Sequence, residues 1–170
     1  MTTVEIGFQW APLPTPLPGQ LVYMASDYAI DFVIESEIQE REQALWDQGC
    51  SISLQTLELH VACQSRRVLF PRGYFPDTMW RTGNLPVPVT VPGLVTSVPQ
   101  VFLAGVARPL IEADGWVCIY DSATGWIRFG RDLHPVAGST IVEFAAGAAL
   151  ELTDRCAVAL WLHPKLVIAE

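Results

Sequence analysis

STIVEFAAGAALELTDRCAVALWLHPKLVIAE, residues 139–170, breaks into four short apolar runs: TIVEF, AALEL, CAVALWL and KLVIA. Gly, polar residues and a His-Pro separate them. Each run is too short for a stable helix and is bounded by turn formers, so each reads as a strand. CAVALWL is apolar on both parities, so both of its faces are covered. A chain that ends this way is expected to be all-β.

Working outward, DGWVCIYDSATGWIRFG (114–130) reads as a hairpin around the polar loop DSATG. RRVLFPRGYFP (66–76) reads as a short strand ending in turns. ISLQTLELHVACQ (52–64) reads as a strand whose apolar parity switches near Thr56, which predicts a bulge or bend. In LVYMASDYAIDFVIESEI (21–38), Tyr28, Ile30, Phe32, Ile34 and Ile38 share one parity, while Asp27, Asp31, Glu35 and Glu37 share the other. That period of two predicts one long half-buried strand. EREQALWDQG (40–49) has helix-forming composition and stops at Gly49, so one short helix is expected there. The chain shows no internal repeat. The expected fold is a single jelly-roll-like β-barrel or sandwich over 21–170, with that helix and an extended proline-rich arm over 1–20.

Two proline-rich segments stand apart. In APLPTPLPGQ (11–20), Pro12, Pro14, Pro16 and Pro18 force an extended chain, and Leu13 and Leu17 could anchor it to the body or to a neighbour. In LPVPVTVP (85–92), Pro86, Pro88 and Pro92 alternate with Val87, Val89 and Val91. Proline lacks a ladder donor, so this strip suits a sheet edge or a crossover, where it also blocks uncontrolled strand addition. Its valine side can still pack on another subunit, with residues 98–110 returning to the body as a strand.

Hydrophobic residues make up 51% of the chain and charged residues 16%, with six Trp, seven Phe and four Tyr. This apolar excess fits a chain that buries surface against neighbours. The net charge of −8 and the lack of clustered Lys or Arg exclude direct nucleic-acid binding and docking on anionic membranes. The N-terminus MTTVEIGFQW has neither the basic nor the apolar region of a signal peptide, and no run is long enough to span a bilayer. Cys50, Cys63, Cys118 and Cys156 are widely spaced and read as small buried hydrophobes.

No chemistry-bearing motif emerges. His60 lies in a strand pattern, and His134 and His163 each precede a proline. No H-x-H, H-E-x-x-H or Cys/His cluster is present, so no metal or other cofactor is expected. Asp121-Ser122-Ala123 is close to the D-[ST]-G core of aspartic proteases, but a hairpin turn needs the same residues. The acids of 27–37 are the wet face of a strand. Gly-rich phosphate loops and G-x-S-x-G are absent, and no catalytic residue is assigned. Trp116 and Trp126 could share a face of the hairpin and, with Trp80, pack against a neighbour or stack on sugars.

A single β-barrel of this size, with a proline-stiffened arm and excess apolar surface, resembles the small single-barrel major capsid proteins of tailless, membrane-containing icosahedral phages of thermophilic bacteria. The resemblance rests on size, composition and the strand pattern of the whole chain. It implies a jelly roll without catalytic residues, located in the virion, that self-associates and packs against a second capsid protein. The expected subunit contacts are Leu13, Leu17, Trp80, Pro86, Val87, Pro88, Val89, Val91, Trp116 and Trp126. The alternatives are another virion or decoration protein, and a carbohydrate-binding β-sandwich that uses exposed tryptophans.

Overall fold

The computed structural model describes residues 5–34, 49–98 and 102–168. In chain order its strands are β1 (Gly7–Pro12), β2 (Gln20–Met24), β3 (Ala29–Val33), β4 (Gly49–Leu54), β5 (Leu57–Ala62), β6 (Val68–Tyr74), β7 (Arg81–Thr82) and β8 (Thr90–Val98). There follow β9 (Ala107–Pro109), β10 (Val117–Tyr120), β11 (Ile127–Gly130), β12 (Thr140–Ala145), β13 (Ala148–Thr153), β14 (Cys156–Leu162) and β15 (Lys165–Val167). They form an eight-stranded sheet ordered β1-β8-β12-β13-β14-β11-β10-β7 and a seven-stranded sheet ordered β15-β2-β3-β6-β5-β4-β9. The alternating residues of both sheets meet in one core, in which Leu57, Leu59 and Val61 of one sheet and Phe144, Leu150 and Leu160 of the other are buried. The chain is therefore all-β, as its closing runs predict, and β14 is covered on both faces. Leu160 and Leu162 enter the main core, while Ala159 and Trp161 join a smaller outer cluster with Leu85, Ile119 and Ala149.

Several expectations need correction. Residues 21–33 are a hairpin, not one strand: β2 and β3 pair antiparallel around a turn in which Asp27 N donates to Met24 O at 3.2 Å and Tyr28 has φ 52°. Ser26 and Asp27 were the turn signal, masked by the unbroken alternation around them. The bend near Thr56 is likewise a tight hairpin, with Leu54 opposite Leu57 and Gln55 at φ 58°. The helix expected over 40–49 falls outside the described residues except for Gly49, which opens β4. Among the described residues the only helical pieces are two 3-10 turns, Asp77–Met79 and Ile111–Gly115. Within the proline-rich N-terminal segment, Gly7–Pro12 is an edge strand laddered along β8.

The chain also contains a repeat. A hairpin, β2–β3, precedes a three-stranded meander whose last strand docks beside β3, giving β2-β3-β6-β5-β4. The second half does the same, giving β10-β11-β14-β13-β12. Each sheet thus holds a Greek key. The strand after each meander crosses over and runs parallel to the first strand of the other half, β7 beside β10 and β15 beside β2. The segment before each hairpin crosses too: Leu110 N donates to Ser53 O at 2.9 Å, and Leu17 N to Phe144 O at 3.2 Å.

The registers correspond residue by residue. The pairs Tyr23 with Ile30 and Leu21 with Phe32 match Tyr120 with Ile127 and Cys118 with Phe129. Leu57 with Gly73 matches Ala148 with Leu162. The ladder slips between His60 and Val61 in β5, and between Glu151 and Leu152 in β13. Tyr28 (φ 52°) and Gly125 (φ 79°) hold the same place in the two hairpin loops.

The connections between corresponding strands differ in length, and two of the differences lie together. Ile111–Trp116 stands where the first half has only Pro18 and Gly19, and Phe75–Trp80 stands where the second half has only Pro164.

Candidate functional site

The Val-Pro strip is held at both ends and bare between them. At its start, Leu85 is buried and its N–H donates to Asp121 Oδ2 at 2.8 Å. Asp121 Oδ1 accepts from Ala123 N at 2.9 Å, and Asp121 O accepts from Gly125 N at 2.8 Å. The N–H groups of Leu85, Ala123 and Thr124 hold the Asp121 carboxyl below the usual carboxylate range. Asp121 is therefore the clasp that ties the strip to the β10–β11 hairpin, and the protease-like triplet is a turn.

At the other end, Thr90–Pro92 is laddered to β12, and Leu13 N donates to Pro92 O at 3.0 Å. Residues 85–89 belong to no strand. Between the anchors Val87 and Val89 are 61% and 88% exposed, and Val91, within the second anchor, is 37% exposed. They continue the parity that buries Gly93, Val95 and Ser97 inside the sandwich, beyond the point where the body covers it. Pro86 is exposed and Pro88 half-buried, and both fix the backbone.

The other expected contact residues lie elsewhere. Leu17 is 3% exposed and belongs to the core, so it anchors the N-terminal segment to its own body, while Leu13 is half-buried. Trp116 and Trp126 do not share a face. Trp116 is buried against Phe129 in the main core, whereas Trp126 packs on Trp161 in the outer cluster and stacks on His163 with centroids 4.7 Å apart. Of the described tryptophans only Trp10 is exposed, so they form no row of open indoles.

Trp80 and Trp116 meet instead around a cleft of about 690 Å³ at one end of the sandwich, with Phe75, Met79, Arg81 and Phe129. Trp80 also packs, tilted, against Tyr23 at 4.7 Å and Tyr120 at 5.4 Å between ring centroids. Gln55 Nε2 donates to Ala113 O at 2.8 Å and Trp116 O at 3.1 Å, which fixes the turn that carries Trp116. Both indole nitrogens are buried and find no acceptor among the described residues.

The outer face of the eight-stranded sheet holds a charge pair that the sequence reading passed over. Arg128 and Glu151 are 1% and 0% exposed, and Arg128 Nε donates to Glu151 Oε2 at 3.1 Å. Glu151 also accepts from Trp161 Nε1 at 2.8 Å and Val136 N at 2.7 Å, and Arg128 donates to Asp132 O. Every partner of this pair is part of the sheet or of the loop over 131–139, so its function is to pin that loop. Opposite charges within IRFG and LEL, both strand interiors, were its signal. Among the described residues no group of three or more His, Cys, Asp or Glu could hold a metal ion. None of the described helices is long and apolar enough to cross a membrane.

Comparison of the chain with family models, curated proteins and solved structures finds no match.

Proposed function

We propose that this chain is a structural building block of a virion, a capsid subunit that self-associates and packs against a partner capsid protein. The observation that carries this reading is the Val87–Val91 strip, an apolar surface fixed at both ends and open to solvent. Exposed apolar side chains on a rigid backbone lose little entropy when a neighbour covers them, which favours assembly contacts. The two Greek keys are the parts from which a jelly roll is made, although here each lies within one sheet. Virion location and a second capsid protein follow from the resemblance in size, composition and strand pattern.

Size-exclusion chromatography with light scattering, repeated across a concentration series, tests the reading. The chain is expected to form dimers or larger assemblies. Val87→Asp with Val89→Asp is expected to weaken them at least about tenfold, since each valine loses about 1.5 kcal/mol of burial. A chain that stays monomeric at every concentration, or assembles equally well with both aspartates, overturns the proposal.

A further inference from the structure

The open end of the β4–β5 hairpin brings two thiols together. Cys50 in β4 stands opposite Val61 in β5, and Cys63 lies two residues further on, on the same parity as Val61. Both thiols are on the core side: Cys50 is 3% exposed, and Cys63 is half-buried against the same cluster. Cys50 Sγ leans across the ladder and donates to Val61 O at 3.4 Å. A side-chain hydrogen bond also links the Cys50 thiol to that of Cys63.

The backbone that carries each thiol is fixed. β4 is laddered on its other side to β9, and just before that ladder Gly105 N donates to Gly49 O at 2.9 Å and Ser51 N to Val106 O at 3.3 Å. After Cys63 the chain turns back at once: Arg66 N donates to Ala62 O at 2.8 Å, and Ala62 N to Arg67 O at 2.9 Å. Thiols already in contact on fixed backbones reach bonding distance by side-chain rotation. Burial, and then the neighbouring Cys63 thiol, push Cys50 up to about 12, while the nearby Arg108 charge opposes that rise. Cys118 is buried, and Cys156 is exposed at the start of β14.

We propose that Cys50 and Cys63 are a redox pair, a dithiol that small disulfides convert to a disulfide closing the open end of the β4–β5 hairpin. Cys63, the more accessible thiol, attacks oxidised glutathione as its thiolate, displaces one glutathione thiolate and becomes a mixed disulfide. Cys50 then gives its proton to solvent and attacks the Cys63 sulfur, and the second glutathione thiolate leaves. The Cys50–Cys63 bond forms and the glutathione S–S bond breaks. Two electrons and both thiol protons end on two reduced glutathiones. In a reducing compartment the pair stays open, and in an oxidising one it closes. The pair is independent of the capsid reading and of the Val-Pro strip.

The test incubates the folded full chain with oxidised glutathione, quenches it with acid, alkylates it in denaturant with N-ethylmaleimide and weighs its tryptic peptides. Trypsin cuts after Arg41 and Arg66 and nowhere between, so both thiols stay on peptide 42–66, apart from Cys118 and Cys156. The expected product is that peptide unalkylated and short of two hydrogens, at least about tenfold more abundant than the same peptide carrying glutathione. Cys50→Ala, which removes the second thiol, should trap glutathione on Cys63. The same incubation in denaturing urea, where the register is lost, should lower the ratio of disulfide to mixed disulfide at least about fivefold. A parent peptide that keeps both thiols or stops at the mixed disulfide overturns the proposal. So does a ratio unchanged by urea, or a Cys50→Ala chain without glutathione on Cys63.

Discussion

Glu151 shows how one residue can hold a loop. Its carboxylate is fully buried and accepts from Arg128, Trp161 Nε1, Val136 N and Ser139 Oγ. Glu151→Ala leaves Arg128 buried and charged without its carboxylate, which is expected to cost about 3–5 kcal/mol in urea unfolding. Adding Arg128→Met should recover part of that loss, because the surviving orphans are then uncharged; a double variant as unstable as the single would refute this account.

His60 titrates in the other half of the fold. Burial, helped by the Arg72 charge, holds its imidazole below the ordinary value, and the ring stacks on Phe70 at 5.1 Å. The unfolded chain therefore takes up the proton first as pH falls. The stability His60 contributes is complete above about pH 6.5 and drains away as pH drops toward its folded value. Unfolding free energies measured between these limits should fall more steeply for the parent than for His60→Gln. Parallel slopes would show that His60 is not the group responsible.

At the scale of elements, the sequence was most legible where a strand had turn residues on both sides. The hairpin over 114–130 and the four closing runs were read directly, because DSATG, Gly147 and His-Pro interrupt them. The β2–β3 and β4–β5 turns share a second feature that hides them. Tyr28 and Gln55 adopt positive φ without being Gly or Asn, so neither advertises its turn. The proline rule worked in part of 84–110: residues 85–89 belong to no strand, while Thr90–Val98 is a long strand despite Pro92. Pro92 is tolerated because its ladder partner, β12, lies on one side only, and on the other it is an acceptor for Leu13.

The candidate cleft was not legible. Trp80 and Trp116 were noticed as large anchors, but their convergence depends on which strands become neighbours. Asp121 was read as a turn residue, and its reach to Leu85 is long-range. Asp121→Ala should free the start of the strip, so amide exchange at Leu85 should accelerate while the amides of β13 stay protected. Unchanged exchange at Leu85 would mean that another contact holds the strip.

At the scale of the whole molecule, the duplication explains why no repeat was seen in the sequence and why the halves depend on one another. The loops between corresponding strands differ in length, so no fixed period survives, and few identities remain beyond Tyr23 with Tyr120, Ile30 with Ile127 and Phe32 with Phe129. The halves do not form separate bodies, because each donates strands to the other. β1, β7 and β8 from the first half complete the eight-stranded sheet, and β9 and β15 from the second complete the seven-stranded one. Either half alone would leave a core face bare, and a chain of that length buries too little surface to offset the loss. The exposed Ala104–Gly105 bend lies between β8 and β9 and offers a place to divide the chain. Fragments 1–104 and 105–170, made separately, are expected to lack stable β structure by circular dichroism, and to regain it with cooperative thermal unfolding when mixed in equal amounts. A fragment that unfolds cooperatively on its own would mean that the exchanged strands are accessories to two independent Greek keys, not the joints that make them one domain.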